Sequence, residues 1–152
     1  MRNKSYHLIG CLTICVFTGC SSMTRPLDYS VEMKNKGSQM ILVEPFQITD
    51  GPVSIVEVGE VYPNNGKAMA PFYTKPFQNL SITWLVSTTR AMGQAQVRLD
   101  LPKEFTKENG SCIKFYIYPD KQQVEVAYDI FNPKTGETKT IRQPSIDSTR
   151  QP

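Results

Sequence analysis

The chain has 152 residues, of which 39% are hydrophobic and 20% charged, and its 17 Lys and Arg slightly exceed its 14 Asp and Glu. This length is enough for one domain with a buried core and too short for two. The small charge excess forms no basic stripe, so we expect no nucleic-acid partner.

The first 19 residues predict a secretory signal peptide. Arg2 and Lys4 precede an apolar or small run at residues 8–17, and residues 1–19 contain no acid. A basic region followed by a hydrophobic one is the order found in secretory signals. The run is too short for a membrane-spanning helix, which needs roughly 20 apolar residues. Without residues 1–19, the chain has 15 Lys and Arg against 14 Asp and Glu and is near neutral.

Cys20 lies in the stretch "VFTGCSS", and the small pair before it resembles the lipobox of bacterial lipoproteins. That resemblance implies removal of residues 1–19 and attachment of lipid to Cys20, with Phe17 where leucine is usual. Plain secretion and an uncleaved anchor are the alternatives. Two acyl chains give stable membrane anchoring. Ser21 follows Cys20 at the position where an aspartate would imply retention at the inner membrane. The resemblance therefore implies the outer membrane, with the protein facing the periplasm.

Cysteine and histidine are scarce once the signal is removed. Cys112 is the only cysteine left besides Cys20, so no intramolecular disulfide is expected. It opens the apolar stretch "SCIKFYIYP", which predicts a buried thiol instead of a reactive one. His7, the only histidine, lies in the signal. We therefore expect no histidine-dependent catalysis, no metal, no cofactor and no small-molecule substrate.

The carboxylates give no pattern typical of an active site. Glu57 and Glu60 are three residues apart in a predicted strand, so their side chains point to opposite faces. Glu104 and Glu108 alternate with lysines in a solvated connector. The sequence thus predicts a protein that is not an enzyme, and an acid pair assembled only by folding is the alternative.

The predicted organisation has three parts after the signal. Residues 20–38 are polar and predict a flexible tether, of which residues 29–33 could join an edge of the fold. Residues 39–143 predict a single β domain. Residues 144–152 are polar and predict a disordered tail.

Seven strands are predicted within the domain, at residues 39–48, 52–62, 79–87, 95–102, 112–119, 123–131 and 138–143. Pro45 breaks the first strand, and Gly59 marks a bulge in the second. Period-two alternation in the later strands predicts the core side chains Leu80, Ile82, Trp84, Val86, Ala95, Val97, Leu99, Leu101, Ile113, Phe115, Ile117, Val124, Val126, Tyr128 and Ile130. Six or seven strands without a helical window predict an all-β fold, an antiparallel β-sandwich or small barrel.

A proline-rich loop with three aromatic residues, "PNNGKAMAPFYTKPFQN", spans residues 63–79. Long loops in compact domains are usually functional or disordered, and aromatic side chains are favoured at recognition surfaces. Phe72, Tyr73 and Phe77 are therefore candidate partner-binding residues. The alternative is that Phe72 and Phe77 fold back and close the open end of the sandwich.

The stretches "VSIVEVGEVYPNNGKA", "LSITWLVS" and "IKFYIYPDKQQVEVAYDIFNP" resemble a family of small bacterial lipoproteins. Members of that family are often encoded beside phospholipase effectors of type VI secretion. The resemblance covers residues 50–132 and implies an immunity protein that faces the periplasm and blocks a lipase delivered by neighbouring cells. The glycine-rich, paired-cysteine segment associated with the family's middle is replaced here by the proline-rich loop.

Two functions, both based on protein binding, are open from the sequence. The first is an immunity or inhibitor protein against a type VI secretion lipase. The second is a structural lipoprotein of an envelope complex, similar to the transthyretin-like lipoprotein that tethers a type VI secretion membrane complex to the outer membrane. The partner is a secreted toxin in the first case and an integral inner-membrane protein in the second.

Overall fold

A computed structural model describes residues 27–106 and 108–144. The predicted signal peptide at residues 1–19, Cys20, and the predicted tail from residue 145 onward lie outside the described residues. The described chain is all β, as predicted, with a single short 3₁₀ helix at Pro119–Lys121. Its strands are β1 (Tyr29–Asn35), β2 (Ile41–Val43), β3 (Phe46–Gln47), β4 (Ile55–Val56), β5 (Gly59–Val61), β6 (Gly66–Phe72), β7 (Asn79–Val86), β8 (Met92–Arg98), β9 (Gly110–Tyr118), β10 (Gln123–Asn132) and β11 (Glu137–Arg142).

Two main sheets enclose one core in a sandwich-like arrangement. The five-stranded sheet has the order β11, β10, β9, β1, β6, and the four-stranded sheet has the order β5, β2, β7, β8. Strands β3 and β4 pair only with each other. A single cluster of buried side chains draws on both main sheets. Neighbouring strands are antiparallel except β1 and β9, which are parallel, so the larger sheet is mixed.

Strand β1 corrects the predicted tether at residues 20–38. It lies inside the five-stranded sheet, between β9 and β6, and not at an edge. Its inward side chains, Tyr29, Val31, Met33 and Asn35, are all buried. The folded domain therefore begins at least ten residues before the predicted start at residue 39, because the sheet would be split without this strand.

The strand count also differs from the seven predicted. The breaks near Pro45 and Gly59 divide two predicted strands into β2 with β3 and β4 with β5. Gly59 has a φ of +67°, a left-handed conformation that favours glycine. The remaining two additions are β1 and β6. Strand β6 occupies seven of the 17 residues of the predicted loop at residues 63–79 and pairs with β1.

The predicted core is confirmed in the later strands. All the side chains predicted to face inward from β7, β8, β9 and β10 are buried or packed against the core cluster. The predicted hairpin between residues 119 and 122 is also present, since β9 and β10 pair antiparallel with Tyr118 opposite Gln123. Alternation of apolar and polar residues was sufficient to locate these elements.

Asn35, at the end of β1, ties the two sheets together on one side of the sandwich. Its buried side-chain amide donates hydrogen bonds to the backbone carbonyl oxygens of Gln39 (2.7 Å) and Val61 (3.0 Å). Its side-chain oxygen accepts one from the N–H of Gly37 (2.8 Å). Because Val61 belongs to β5, this single residue links the larger sheet to the smaller one.

Gln143 makes the corresponding link on the other side. Its side-chain oxygen accepts hydrogen bonds from the Tyr128 hydroxyl (2.7 Å) and the Asp100 N–H (3.1 Å). Its side-chain nitrogen donates to the carbonyl oxygen of Arg98 at the end of β8. One glutamine therefore satisfies backbone groups of the smaller sheet while it hydrogen-bonds to a tyrosine of the larger one.

Candidate functional site

The three aromatic residues predicted to bind a partner do not form one surface. Phe72 is buried, at 3% exposure, and stacks on Tyr29 with ring centroids 5.6 Å apart. Phe77 packs against the core, and its N–H donates a hydrogen bond to the carbonyl oxygen of Ile48 (2.7 Å). Tyr73 alone is exposed, at 46%. The geometry thus matches the alternative in which Phe72 and Phe77 close the core.

A second hydrogen bond fixes the same loop to the body of the domain. Thr49 is fully buried, and its hydroxyl lies 2.7 Å from the Thr74 hydroxyl oxygen and 3.2 Å from the carbonyl oxygen of Lys75. Both threonine hydroxyls can donate and accept. These contacts hold the segment after Tyr73, and the burial of Phe72 holds the residue before it, so the loop offers a single exposed aromatic ring instead of a cluster.

An apolar row on the outer face of the four-stranded sheet is the better candidate for a partner-binding site. Leu42 of β2 lies opposite Leu85 of β7, which lies opposite Met92 of β8. Leu42 is 41% exposed, Met92 is 60% exposed and Leu85 is half-buried. Because neighbouring strands are about 4.8 Å apart, the three side chains span about 10 Å across the sheet.

Each side chain of the row points outward because its neighbour points inward. Leu42 stands between the buried Ile41 and Val43. Leu85 follows the buried Trp84. Side chains of a strand alternate between the two faces, so filling the core with these residues forces Leu42 and Leu85 outward.

Tyr62 extends the row at its β5 end. Glu60 of β5 lies opposite Leu42, and Tyr62 follows two residues later, 57% exposed. The Tyr62 hydroxyl donates a hydrogen bond to the Glu60 carboxylate (3.3 Å). Tyrosine combines a large apolar ring with a polar end, which suits it to protein interfaces. We call Leu42, Leu85, Met92 and Tyr62 the apolar row.

The rest of the same face is polar. The side-chain amides of Gln94 and Gln96 donate hydrogen bonds to the Ser81 hydroxyl (2.8 and 3.2 Å). Arg98 and Asp100 form an exposed ion pair (3.0 Å). An apolar patch with a polar surround is the usual arrangement of a protein-binding site.

A groove of about 430 Å³ continues from the apolar row. It lies where the pairing between residues 41–47 and 55–61 is interrupted, and its lining is Leu42, Val43, Glu44, Pro45, Glu57, Val58, Gly59 and Lys67. The Lys67 ammonium group crosses from β6 and donates a hydrogen bond to the Val58 carbonyl oxygen. Leu42 borders both the groove and the row, so a partner side chain seated in the groove would contact the row.

Cys112 is half-buried on the outer face of the five-stranded sheet, whereas the sequence predicts a buried thiol. Burial raises the pKa of its thiol, and a hydrogen bond with Ser30 only partly opposes that effect. A thiol with a raised pKa carries little thiolate at neutral pH and is a poor nucleophile.

The carboxylates weighed in the sequence are not gathered into one site. Glu57 and Glu60 are exposed, and Glu104 forms an ion pair with Lys139 (2.9 Å). The hydrogen bond from Lys139 lowers the pKa of the Glu104 carboxyl. Among residues 27–106 and 108–144, no three His, Cys, Asp or Glu side chains are grouped as metal ligands would be. Within that same part of the chain, no helix has the length and apolar character to cross a membrane.

Comparisons of the chain with protein-family models, with curated proteins and with solved structures give no match. The site is therefore defined by the geometry alone.

The apolar row was not predicted from the sequence. Alternation of apolar and polar residues is read within one strand, and the row crosses several strands. The predicted strand at residues 39–48, broken near Pro45, was given no inward and outward faces, so the outward position of Leu42 in β2 was not predicted. Met92 precedes the predicted start of its strand at residue 95, although β8 begins at Met92 itself. The available signal was Leu85, an apolar residue out of phase with the buried Trp84.

Proposed function

We propose that this chain is a lipid-anchored bacterial protein that faces the periplasm and acts by binding a protein. Its partner is a lipase effector of type VI secretion, and binding blocks the lipase. The lipidation motif at Cys20 and the family resemblance of residues 50–132 support the location and the partner class. The apolar row supports the mode of action.

The exposed apolar row is the observation that carries this proposal. A lipase binds acyl chains, so the surface around its catalytic cleft is apolar. Leu42, Leu85 and Met92 form a flat apolar strip that is complementary to such a surface, and Tyr62 adds an aromatic anchor. Binding there would exclude lipid from the cleft without chemistry by this chain.

The test is protection of cells from the lipase. The full-length chain is produced together with a periplasm-directed lipase whose reading frame neighbours its own gene, and growth is measured. We expect the unaltered chain to restore growth. The Met92→Asp variant should lose protection, and its affinity for the lipase should fall at least roughly tenfold, because a charge would be buried in an apolar interface.

The matched control is Gln96→Asp, which places the same charge on the same face of β8, outside the apolar row. This variant should protect as well as the unaltered chain. Equal loss in both variants would contradict the role of the apolar row. Absence of protection by the unaltered chain, with recovery of an integral inner-membrane protein in a pull-down, would favour the structural tether over the immunity protein.

A further inference from the structure

The opposite face of the sandwich carries positively charged side chains around two tyrosines. The cations nearest the Tyr116 ring centroid are Lys36 (5.5 Å), Arg142 (5.9 Å) and Lys34 (6.0 Å). Lys121 lies 5.3 Å from the ring centroid of Tyr118. We call these six residues the cation–tyrosine surface. It lies on the outer face of the five-stranded sheet and shares no residue with the apolar row.

Three carboxylates near this surface already have partners, and Asp120 beside Lys121 is exposed. Glu32 forms ion pairs with Lys34 (3.3 Å) and Lys114 (3.5 Å). Lys114 also forms an ion pair with Asp129. Glu125 accepts a hydrogen bond from the Tyr118 hydroxyl (3.1 Å).

Three cations remain without a carboxylate. In the described residues, Lys36, Lys121 and Arg142 take part in no salt bridge. Lys36 and Arg142 flank the same ring, and like charges so placed repel each other. An anion bound between them would remove that repulsion, and the fork of the Arg142 guanidinium matches a carboxylate.

We propose that the cation–tyrosine surface binds an acidic, Asp- and Glu-rich segment of a second protein. Charge complementarity selects an anionic occupant, and the pleated face with cations on β1 and β11 suits an extended peptide. This function is separate from lipase binding, because the two surfaces lie on opposite faces of the sandwich.

The direction of β1 favours a protein over the bilayer as the source of the acidic groups. Strand β1 runs parallel to β9, with Tyr29 beside Ser111 and Lys34 beside Tyr116. At about 3.3 Å per residue, Tyr116 lies roughly 16 Å further from the chain entry than Ser111. If Cys20 carries the lipid, the cation–tyrosine surface therefore lies at the end of the domain opposite to the point where the lipid-bearing segment enters.

The test measures binding of a fluorescein-labelled octaglutamate peptide to the full-length protein in detergent micelles. Fluorescence anisotropy should show binding that weakens as NaCl rises from 50 to 300 mM, because the contact is electrostatic. The double variant Lys36→Glu, Arg142→Glu should lose at least tenfold in affinity. Both side chains are exposed, and circular dichroism checks that the variant is folded.

The control is the double variant Lys75→Glu, Lys103→Glu, which changes the net charge equally at exposed positions elsewhere. Retained affinity in this control supports the proposal, and an equal loss would show a net-charge effect and overturn it. A parallel assay mixes the Cys20→Ser chain, prepared without residues 1–19, with vesicles of phosphatidylglycerol. Binding to these vesicles without binding to the peptide would assign the surface to the membrane and overturn the protein partner.

Discussion

Gly93 lies against the largest side chain of the core and leaves no room for a Cβ atom. It lies in β8 opposite Trp84 of β7, the largest fully buried side chain. A Cβ atom on Gly93 would lie 2.5 Å from Nε1 and Cζ2 of the indole. The indole therefore packs directly on the glycine backbone, and a larger residue would displace it from the centre of the core.

We expect Gly93→Ala to lower the free energy of unfolding by about 1–3 kcal/mol, the usual cost of overpacking a core. Urea denaturation followed by Trp84 fluorescence measures this directly, because Trp84 is the only tryptophan. Gln96→Ala, an exposed change in the same strand, should stay within about 0.5 kcal/mol. A Gly93→Ala variant as stable as the unaltered protein would show that the indole can move aside.

Residues in long alternating strands were predictable one by one, and residues in short strands were not. Trp84 and Phe115 occupy the core positions that alternation assigns to them. Phe72 was ambiguous, since an aromatic residue beside a proline suits both a binding loop and a strand end. The stacking of Phe72 on Tyr29 shows that Phe72 belongs to the core and not to a binding loop. This contact depends on β1, and the sequence pattern does not reveal the place of β1 in the sheet.

At the level of elements, an ion-pair network connects β1, β9, β10 and β11 across the outer face of the larger sheet. Lys114 of β9 pairs with Asp129 of β10 and Glu32 of β1, and Asp129 accepts a hydrogen bond from Thr140 of β11 (2.6 Å). The side chains of Lys114 and Asp129 are 19% and 18% exposed. An ion pair that is this little exposed to water contributes more to the stability of the fold than a fully exposed surface pair does.

This network predicts how stability depends on pH. Burial would raise the pKa of the Asp129 carboxyl, but hydrogen bonds from Lys114 and Thr140 outweigh it and lower that pKa. A carboxyl with a lowered pKa stabilises the fold above its unfolded value, about 3.9, and loses this contribution as pH falls through the folded value. Asp129→Asn should therefore cost about 1–2 kcal/mol at pH 7. The difference from the unaltered protein should shrink below about pH 4.

Lys114 gives the opposite dependence at the alkaline end. Its hydrogen bond to Asp129 raises the pKa of the Lys114 ammonium group. The stability that Lys114 contributes is therefore present at neutral pH and lost as pH rises through that raised value.

Urea denaturation of the unaltered protein and of Asp129→Asn from pH 3 to pH 9 checks the loss of the Asp129 contribution at acid pH. Asp100→Asn, which removes an exposed pair, is the control and should change stability little at any pH. A constant difference down to pH 3 would contradict the network.

Strand β1 shows why one element was only partly predicted: residues 29–33 were expected at most at an edge of the fold, and β1 lies inside the sheet. Its seven residues, "YSVEMKN", do alternate, but the outward positions hold Glu32 and Lys34, so the stretch looks like polar tether. Its parallel partner β9 begins at Gly110, far along the chain. Pairing of segments so distant in sequence is a tertiary property, and a period-two pattern in one strand says nothing about its neighbour.

For the whole molecule, the order of elements places both proposed surfaces at one end of the sandwich. Strand β1 ends at Asn35, and the next turn leads directly into β2, so Lys36 and Leu42 are close in sequence but lie on opposite faces. The chain enters the domain at the other end, beside Ser111. Both surfaces therefore lie at the end of the domain opposite to the point of chain entry.

The membrane location itself is tested by Cys20→Ser in the full-length chain. Two acyl chains hold a protein at a bilayer stably, and a chain without them has only surface contacts. We expect the unaltered protein in the membrane fraction with residues 1–19 removed, and the Cys20→Ser variant to carry no acyl groups and to keep residues 1–19, because Cys20 is part of the motif at which they are removed. Cys112→Ser is the matched control, since it removes the half-buried thiol of the folded domain and should leave the protein at the membrane. Mass spectrometry of the unaltered protein should find acyl groups on an N-terminal Cys20. An unaltered protein that keeps residues 1–19 and carries no acyl groups would replace the lipid with an uncleaved N-terminal anchor.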